Sequence, residues 1–101
     1  MAIKIHLAGH LGRYTEGKVE FDFTQAADVH HLVIHLGEMF PAVRDKIFDE
    51  HDRTRPFVNI FVNEENIRDL DSEQTPVKNG DEVYILPSVA GGSGEKSRIG
   101  S

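Results

Sequence analysis

The sequence predicts an α+β domain: one sheet of about four to five strands packed on one main helix. Three observations predict it. Near both ends of the chain apolar residues alternate with polar ones, as in Ile3-Ile5-Leu7 and Val83-Ile85, the period of a strand with one buried face. Between them the spacing changes to three and four residues over Val29, Leu32, Val33, Leu36 and Phe40, which lines one face of a helix. The chain has 101 residues and no internal repeat, enough for one core and not for two.

Taken in order, Ile3, Ile5 and Leu7 alternate with Lys4 and His6 and predict the first strand. Ala8 to Gly17 is broken by glycines at 9, 12 and 17 and reads as a loop. Val19, Phe21 and Phe23 alternate with Glu20 and Asp22, a second strand able to pair with the first as a hairpin. Thr24 or Asp28 is placed to cap the helix that follows. Pro41 ends it, because proline disfavours helical geometry in the residue before it. Val43, Ile47 and Phe48 suggest a short second helical piece, and the polar stretch from Asp49 to Arg55 a loop.

Phe57 to Val62 is almost entirely apolar, the signature of a central strand covered on both faces. Asn63-Glu64-Glu65-Asn66 reads as a turn, with Ile67 and Leu70 as isolated anchors after it. Thr75-Pro76 and Asn79-Gly80-Asp81 are turn chemistry. Glu82 to Leu86 is the last strand, with Val83 and Ile85 on one face and Tyr84 and Leu86 on the other. The expected core is Ile5, Leu7, Val19, Phe21, Leu32, Val33, Leu36, Ile60, Val62, Val83 and Ile85. The expected organisation is a domain over residues 1–87 and a flexible glycine- and serine-rich tail over 88–101, which contains the pair Gly91-Gly92.

Composition narrows the function. Net charge is −6 and the pI is near 5.4, which argues against nucleic acid or an anionic membrane as the main partner. With no cysteine, disulfides, thiolate metal sites and cysteine nucleophiles are excluded. No apolar run approaches the roughly 20 residues that span a bilayer. MAIKIHLAGHLG lacks the plan of a signal peptide, so a cytoplasmic protein is expected.

The residues closing the last strand carry a resemblance. NGDEVYILPSVAGG, Asn79 to Gly92, resembles the C-terminal strand and Gly-Gly end of the ubiquitin-like β-grasp sulfur carriers, the family of the molybdopterin synthase small subunit and the thiamine sulfur carrier. Phe57 to Asn63 is similar to that family's central strand, Leu70-Asp71 with Thr75-Pro76-Val77 to its connecting segment, and Leu11 to Thr15 to its first hairpin loop. The resemblance runs from Met1 to Gly92. It implies a β-grasp fold with the first and last strands central and parallel.

The resemblance also implies the chemistry: a carrier and co-substrate rather than an enzyme, or the small subunit of a synthase. A ubiquitin-activating-type adenylyltransferase would adenylate the carboxylate of Gly92 with ATP, and sulfur would displace AMP to leave a thiocarboxylate. A sulfur-accepting synthase subunit would then take the sulfur into molybdopterin, thiamine, a sulfur amino acid or another metabolite. Gly91 and Gly92 suit a narrow enzyme channel because glycine carries no side chain, and the resemblance brings Val89 and Ala90 into the partner with them. No cofactor is expected on the carrier itself; ATP belongs to the activating enzyme. Mature family members end at the second glycine, whereas Ser93 to Ser101 follows it here. The tail would have to be removed, by a metalloprotease as in some relatives, unless it is an added tag. Two other readings stand beside this one: a modifier attached to lysines through Gly92, and an interaction module without C-terminal chemistry.

Tyr84 and Leu86, on the face away from Val83 and Ile85, are expected to form a partner-binding patch, with Phe61 and Phe57 either joining it or covered. His31 and His35 stand four apart on one helical face, but no third ligand is evident, so no metal is expected. The acidic residues Glu64, Glu65, Asp69, Asp71, Asp81 and Glu82 would suit a basic groove on a partner, or simply solvent. Arg13 reads as loop decoration.

Overall fold

The computed structural model describes residues 2–87. Five strands form one sheet: β1 (Ile3–Leu7), β2 (Glu20–Phe23), β3 (Val58–Val62), β4 (Glu65–Asn66) and β5 (Glu82–Pro87), in the order β2-β1-β5-β3-β4. The β1 and β5 strands run parallel at the centre, and every other neighbouring pair is antiparallel. The α1 helix (Val29–Met39) and the short α2 helix (Pro41–Ile47) follow β2.

Alternation sets the inner face. Ile3, Ile5, Leu7, Phe21, Val58, Ile60, Val62, Val83 and Ile85 are buried and share one core with Leu32, Val33 and Leu36 of α1. Asp28 caps α1, its Oδ1 accepting from the His31 backbone N–H at 2.9 Å, which satisfies a donor the helix start leaves open. Thr24 has no part in the cap. Phe40 closes α1 by donating its N–H to Leu36 O at 2.9 Å, and Pro41 opens α2 at a position where proline loses nothing.

The segment between β4 and β5 is tied down at both ends. The Val29 N–H donates to Thr75 O at 3.0 Å and the Val77 N–H to Ala27 O at 3.2 Å, which fastens Thr75-Pro76-Val77 to the start of α1. In the Asn79-Gly80-Asp81 turn Gly80 takes φ 96°, a left-handed value that favours glycine. The Asp81 side chain accepts from the Lys78 N–H at 3.0 Å and from Asn63 Nδ2 at 3.2 Å, so one carboxylate closes the turn and joins it to the end of β3.

Four expectations need correction. Residues 9–14 form a 3₁₀ turn rather than an open loop, and its Leu11 is buried in the core. Val19 is 36% exposed: β2 begins one residue later, and Val19 lies over Gly12, where an added Cβ would stand 3.3 Å from its Cγ1. The run Phe57 to Val62 is not covered on both faces. It alternates buried and half-buried from Val58, Phe57 is 56% exposed, and the strand lies between β5 and the two-residue β4. Leu70 is 38% exposed while Ile67 is buried, so only one of the two anchors enters the core. Ile3, Val29, Val43, Ile47, Phe48 and Val77 complete the core; for Val43, Ile47 and Phe48 the supporting short helix was legible from their spacing.

Candidate functional site

The outer face of the sheet is where the predicted partner residues meet. Strand register places Glu20, His6, Tyr84, Phe61 and Asn66 in one row across all five strands. Tyr84 lies at its centre because β5 is central. The His6 ring stacks on the Tyr84 ring with centroids 4.5 Å apart and planes 10° from parallel. Phe61 faces Tyr84 from β3, and all three side chains are half-buried. Leu86 lies next to Asn59 two pairs further along, on the same face, and is 37% exposed. Tyr84, Leu86 and Phe61 are thus brought to one accessible face, as their alternation with Val83 and Ile85 predicts.

The polar flank of this row is acidic. Glu82 Oε1 lies 2.9 Å from His6 Nε2 and accepts from the Tyr84 hydroxyl at 3.2 Å. These hydrogen bonds, that from His6 foremost, hold the Glu82 carboxyl below its ordinary value. Partial desolvation, followed by the Glu82 charge, raises the Tyr84 hydroxyl above its own. Glu20 Oε2 stands 3.6 Å from the other His6 ring nitrogen. His6 therefore links two carboxylates beneath an aromatic platform, a role the sequence signals only through its outward position on β1.

A small apolar pocket of about 200 Å³ opens where β5 ends. Leu86 and Pro87 form one wall, with Leu11, Tyr14, Phe57 and Val58 around them and His10 and Lys46 at its polar points. The Lys46 ammonium lies 5.3 Å from the Tyr14 ring centroid, a cation–π contact. Leu11 and Tyr14 reach the pocket from the 3₁₀ turn, so sequence spacing alone did not find it. Val89, Ala90, Gly91 and Gly92 lie outside the described residues. Among the described residues no helix is long and apolar enough to cross a membrane.

Comparison with known proteins is consistent with this geometry. The model of the ThiS family matches residues 5–92, a stretch that ends on Gly92. A protein of Archaeoglobus fulgidus named as a candidate sulfur carrier is 36% identical over 92 residues, covering 91% of this chain and all of that one. The sulfur carrier protein CysO of Mycobacterium tuberculosis is 53% identical over 63 residues, covering 60% of this chain and 68% of CysO. A chain in the crystal structure of the Amycolatopsis orientalis BexX/CysO complex superposes with a TM-score of 0.81 at 26% identity, covering 90% of this chain and all of that one.

Proposed function

This chain belongs to the ThiS family, and we propose that it is a sulfur carrier whose Gly92, once it is the chain terminus, is adenylated and then converted to a thiocarboxylate. One observation supports this reading above the others. The β5 strand is hydrogen-bonded on both sides, to β1 and to β3, so the chain is held up to Pro87, and the family match continues to Gly92. Five residues span at most about 18 Å when extended. The domain can therefore dock by Tyr84, Leu86 and Phe61 while Gly91-Gly92 enters a partner's active site.

The chemistry is borne by the terminus. A Gly92 carboxylate oxygen attacks the α-phosphorus of ATP and pyrophosphate leaves, which gives the acyl adenylate. Hydrosulfide then attacks the carbonyl carbon and AMP leaves, so a C–O bond is exchanged for a C–S bond with no change of oxidation state. The adenylate is needed because a carboxylate offers no leaving group. The carrier supplies no acid, base or metal to these steps; an adenylyltransferase of the ubiquitin-activating type supplies them, and an acceptor subunit takes the sulfur. An amide at Gly92 has no oxyanion to attack ATP, so Ser93 to Ser101 must be cleaved first, a task for a metalloprotease. A cytoplasmic ATP supply fits the scheme.

The test compares the chain ending at Ser101 with one ending at Gly92, each with ATP, sulfide and the activating enzyme, by intact mass. The shorter chain gains about 16 Da as sulfur replaces oxygen; the longer one is unchanged. Gain of that mass with the tail still attached overturns the mechanism. Lysine-linked adducts in place of the thiocarboxylate assign the chain to protein modification instead.

A further inference from the structure

The histidines outside the sheet are not arranged as their spacing suggests. His35 turns away to Glu38, with Nδ1 to Oε1 at 3.4 Å, and to the Phe23 ring at 6.0 Å. His31 instead joins the start of the helix. We propose that Asp28, His30 and His31 form a binding site for a divalent transition-metal ion of the Zn²⁺ class.

Each of the three brings one ligand atom, and all three atoms lie within 4.8 Å of one another. Ligand bonds of about 2.0–2.2 Å place neighbouring donors roughly 3–3.5 Å apart, so small side-chain rotations would part His31 Nδ1 from Asp28 Oδ1, now hydrogen-bonded at 2.7 Å, and narrow any wider separation. Two imidazoles and a carboxylate are a donor set suited to Zn²⁺ and its neighbours rather than to Mg²⁺ or Ca²⁺. Neither imidazole is left to swing freely: His31 is held by its contact with Asp28, which the ion would replace. His30 Nε2 lies 3.3 Å from Asp52 Oδ2, its ring is stacked on Phe48 at 6.0 Å, and the Asp52 carboxylate is itself paired with Arg44. A proton held toward Asp52 leaves the lone pair on the other ring nitrogen. A carboxylate behind an imidazole is also how proteins orient metal-bound histidines.

The surroundings leave room and charge for a cation. Asp28, His30 and His31 open on a polar cleft that His51 and Glu73 also line, from two other segments of the chain, so a fourth protein ligand or water has a place. The helix start carries partial positive charge, which opposes a cation. The carboxylates of Asp28, Asp52, Asp71 and Glu73 around the cleft outnumber the guanidinium groups of Arg44 and Arg53 beside them. None of the three ligands lines the pocket next to Pro87, so the site is separate from the C-terminal reaction and its test does not depend on that reaction.

The experiment titrates Zn²⁺ into the full chain by calorimetry, with imidazole nitrogen NMR to locate the ion and thermal melts to follow folding. One ion binds, the His30 and His31 resonances shift first, and the melting temperature rises because the ion favours the folded state. His31→Gln, at an exposed position, and Asp28→Asn, which keeps a capping oxygen, each weaken binding by about tenfold or more and abolish the rise. His35→Gln leaves both unchanged. Circular dichroism of the variants checks that they are folded. Absence of binding at millimolar Zn²⁺, binding that survives both substitutions, or shifts centred on His10 or His35 overturns the proposal.

Discussion

Tyr84 shows how much one outward residue on a central strand carries. It stacks on His6, faces Phe61 and donates to Glu82. Tyr84→Ala together with Leu86→Ala should weaken binding to the activating enzyme more than it lowers stability, because neither side chain belongs to the inner core; calorimetric binding set beside thermal melts checks this. An equal loss in both would assign the pair a packing role. Glu82 gives a pH prediction. Its carboxyl is held below 4.5 by His6 and Tyr84, so its contribution to stability is present above that pH and is lost as pH falls through the lowered value. Glu82→Gln should therefore melt lower than the parent at pH 7, with the difference fading below pH 4.5 in a melt series. Inside, Leu36 is fully buried, and Leu36→Ala should cost about 2–5 kcal/mol in denaturant unfolding. Val19→Ala, at a residue expected in the core and found 36% exposed, should cost less.

Among elements, the junction of α1 and α2 is the tightest approach that can be tested. A Cβ added at Gly37 would stand 2.8 Å from Arg44 Cβ and 2.9 Å from its Cδ. Because Cβ is the fixed end of the arginine side chain, the helices themselves must separate. An alanine in mid-helix ordinarily gains about 1 kcal/mol over glycine, whereas overpacking costs about 1–3 kcal/mol. Gly37→Ala should thus be destabilising on balance, and chemical denaturation reads the sign directly. A gain in stability would show that the helices separate at little cost. The sequence showed that two helical pieces meet near Pro41, but not that a glycine admits the second one, since nothing local distinguishes Gly37 from a helix-weakening residue. The open reading of residues 8–17 failed for a related reason. Glycine breaks strand and helix periods alike, and the 3₁₀ turn is held by Leu11 entering a core that local pattern does not reveal.

For the whole molecule, the decisive feature is the parallel pairing of β1 and β5, in which Ile5 lies beside Val83 and Leu7 beside Ile85. It joins the first residues of the domain to the last strand before Gly91-Gly92. A chain ending at Gly92 keeps every described contact, and so should match the melting temperature of the chain ending at Ser101 while differing from it in reactivity. Equal reactivity would remove the tail from the mechanism, and a large difference in melting temperature would give the tail a structural part.

Period and composition alone determined the strands at either end, the helix between them, ten of the eleven expected core residues and the outward position of Tyr84 and Leu86. These are properties of a segment against one face, and alternation or a three-four spacing records them directly. Only the tertiary structure decided that His6 stacks on Tyr84, that Leu11, Tyr14 and Phe57 close a pocket against Leu86 and Pro87, and that His31 joins His30 and Asp28 rather than His35. Each of these joins residues through strand register, a folded turn or the rotamer at a helix start. Such contacts are set by where segments are brought together in space, which the spacing of residues within one segment does not encode.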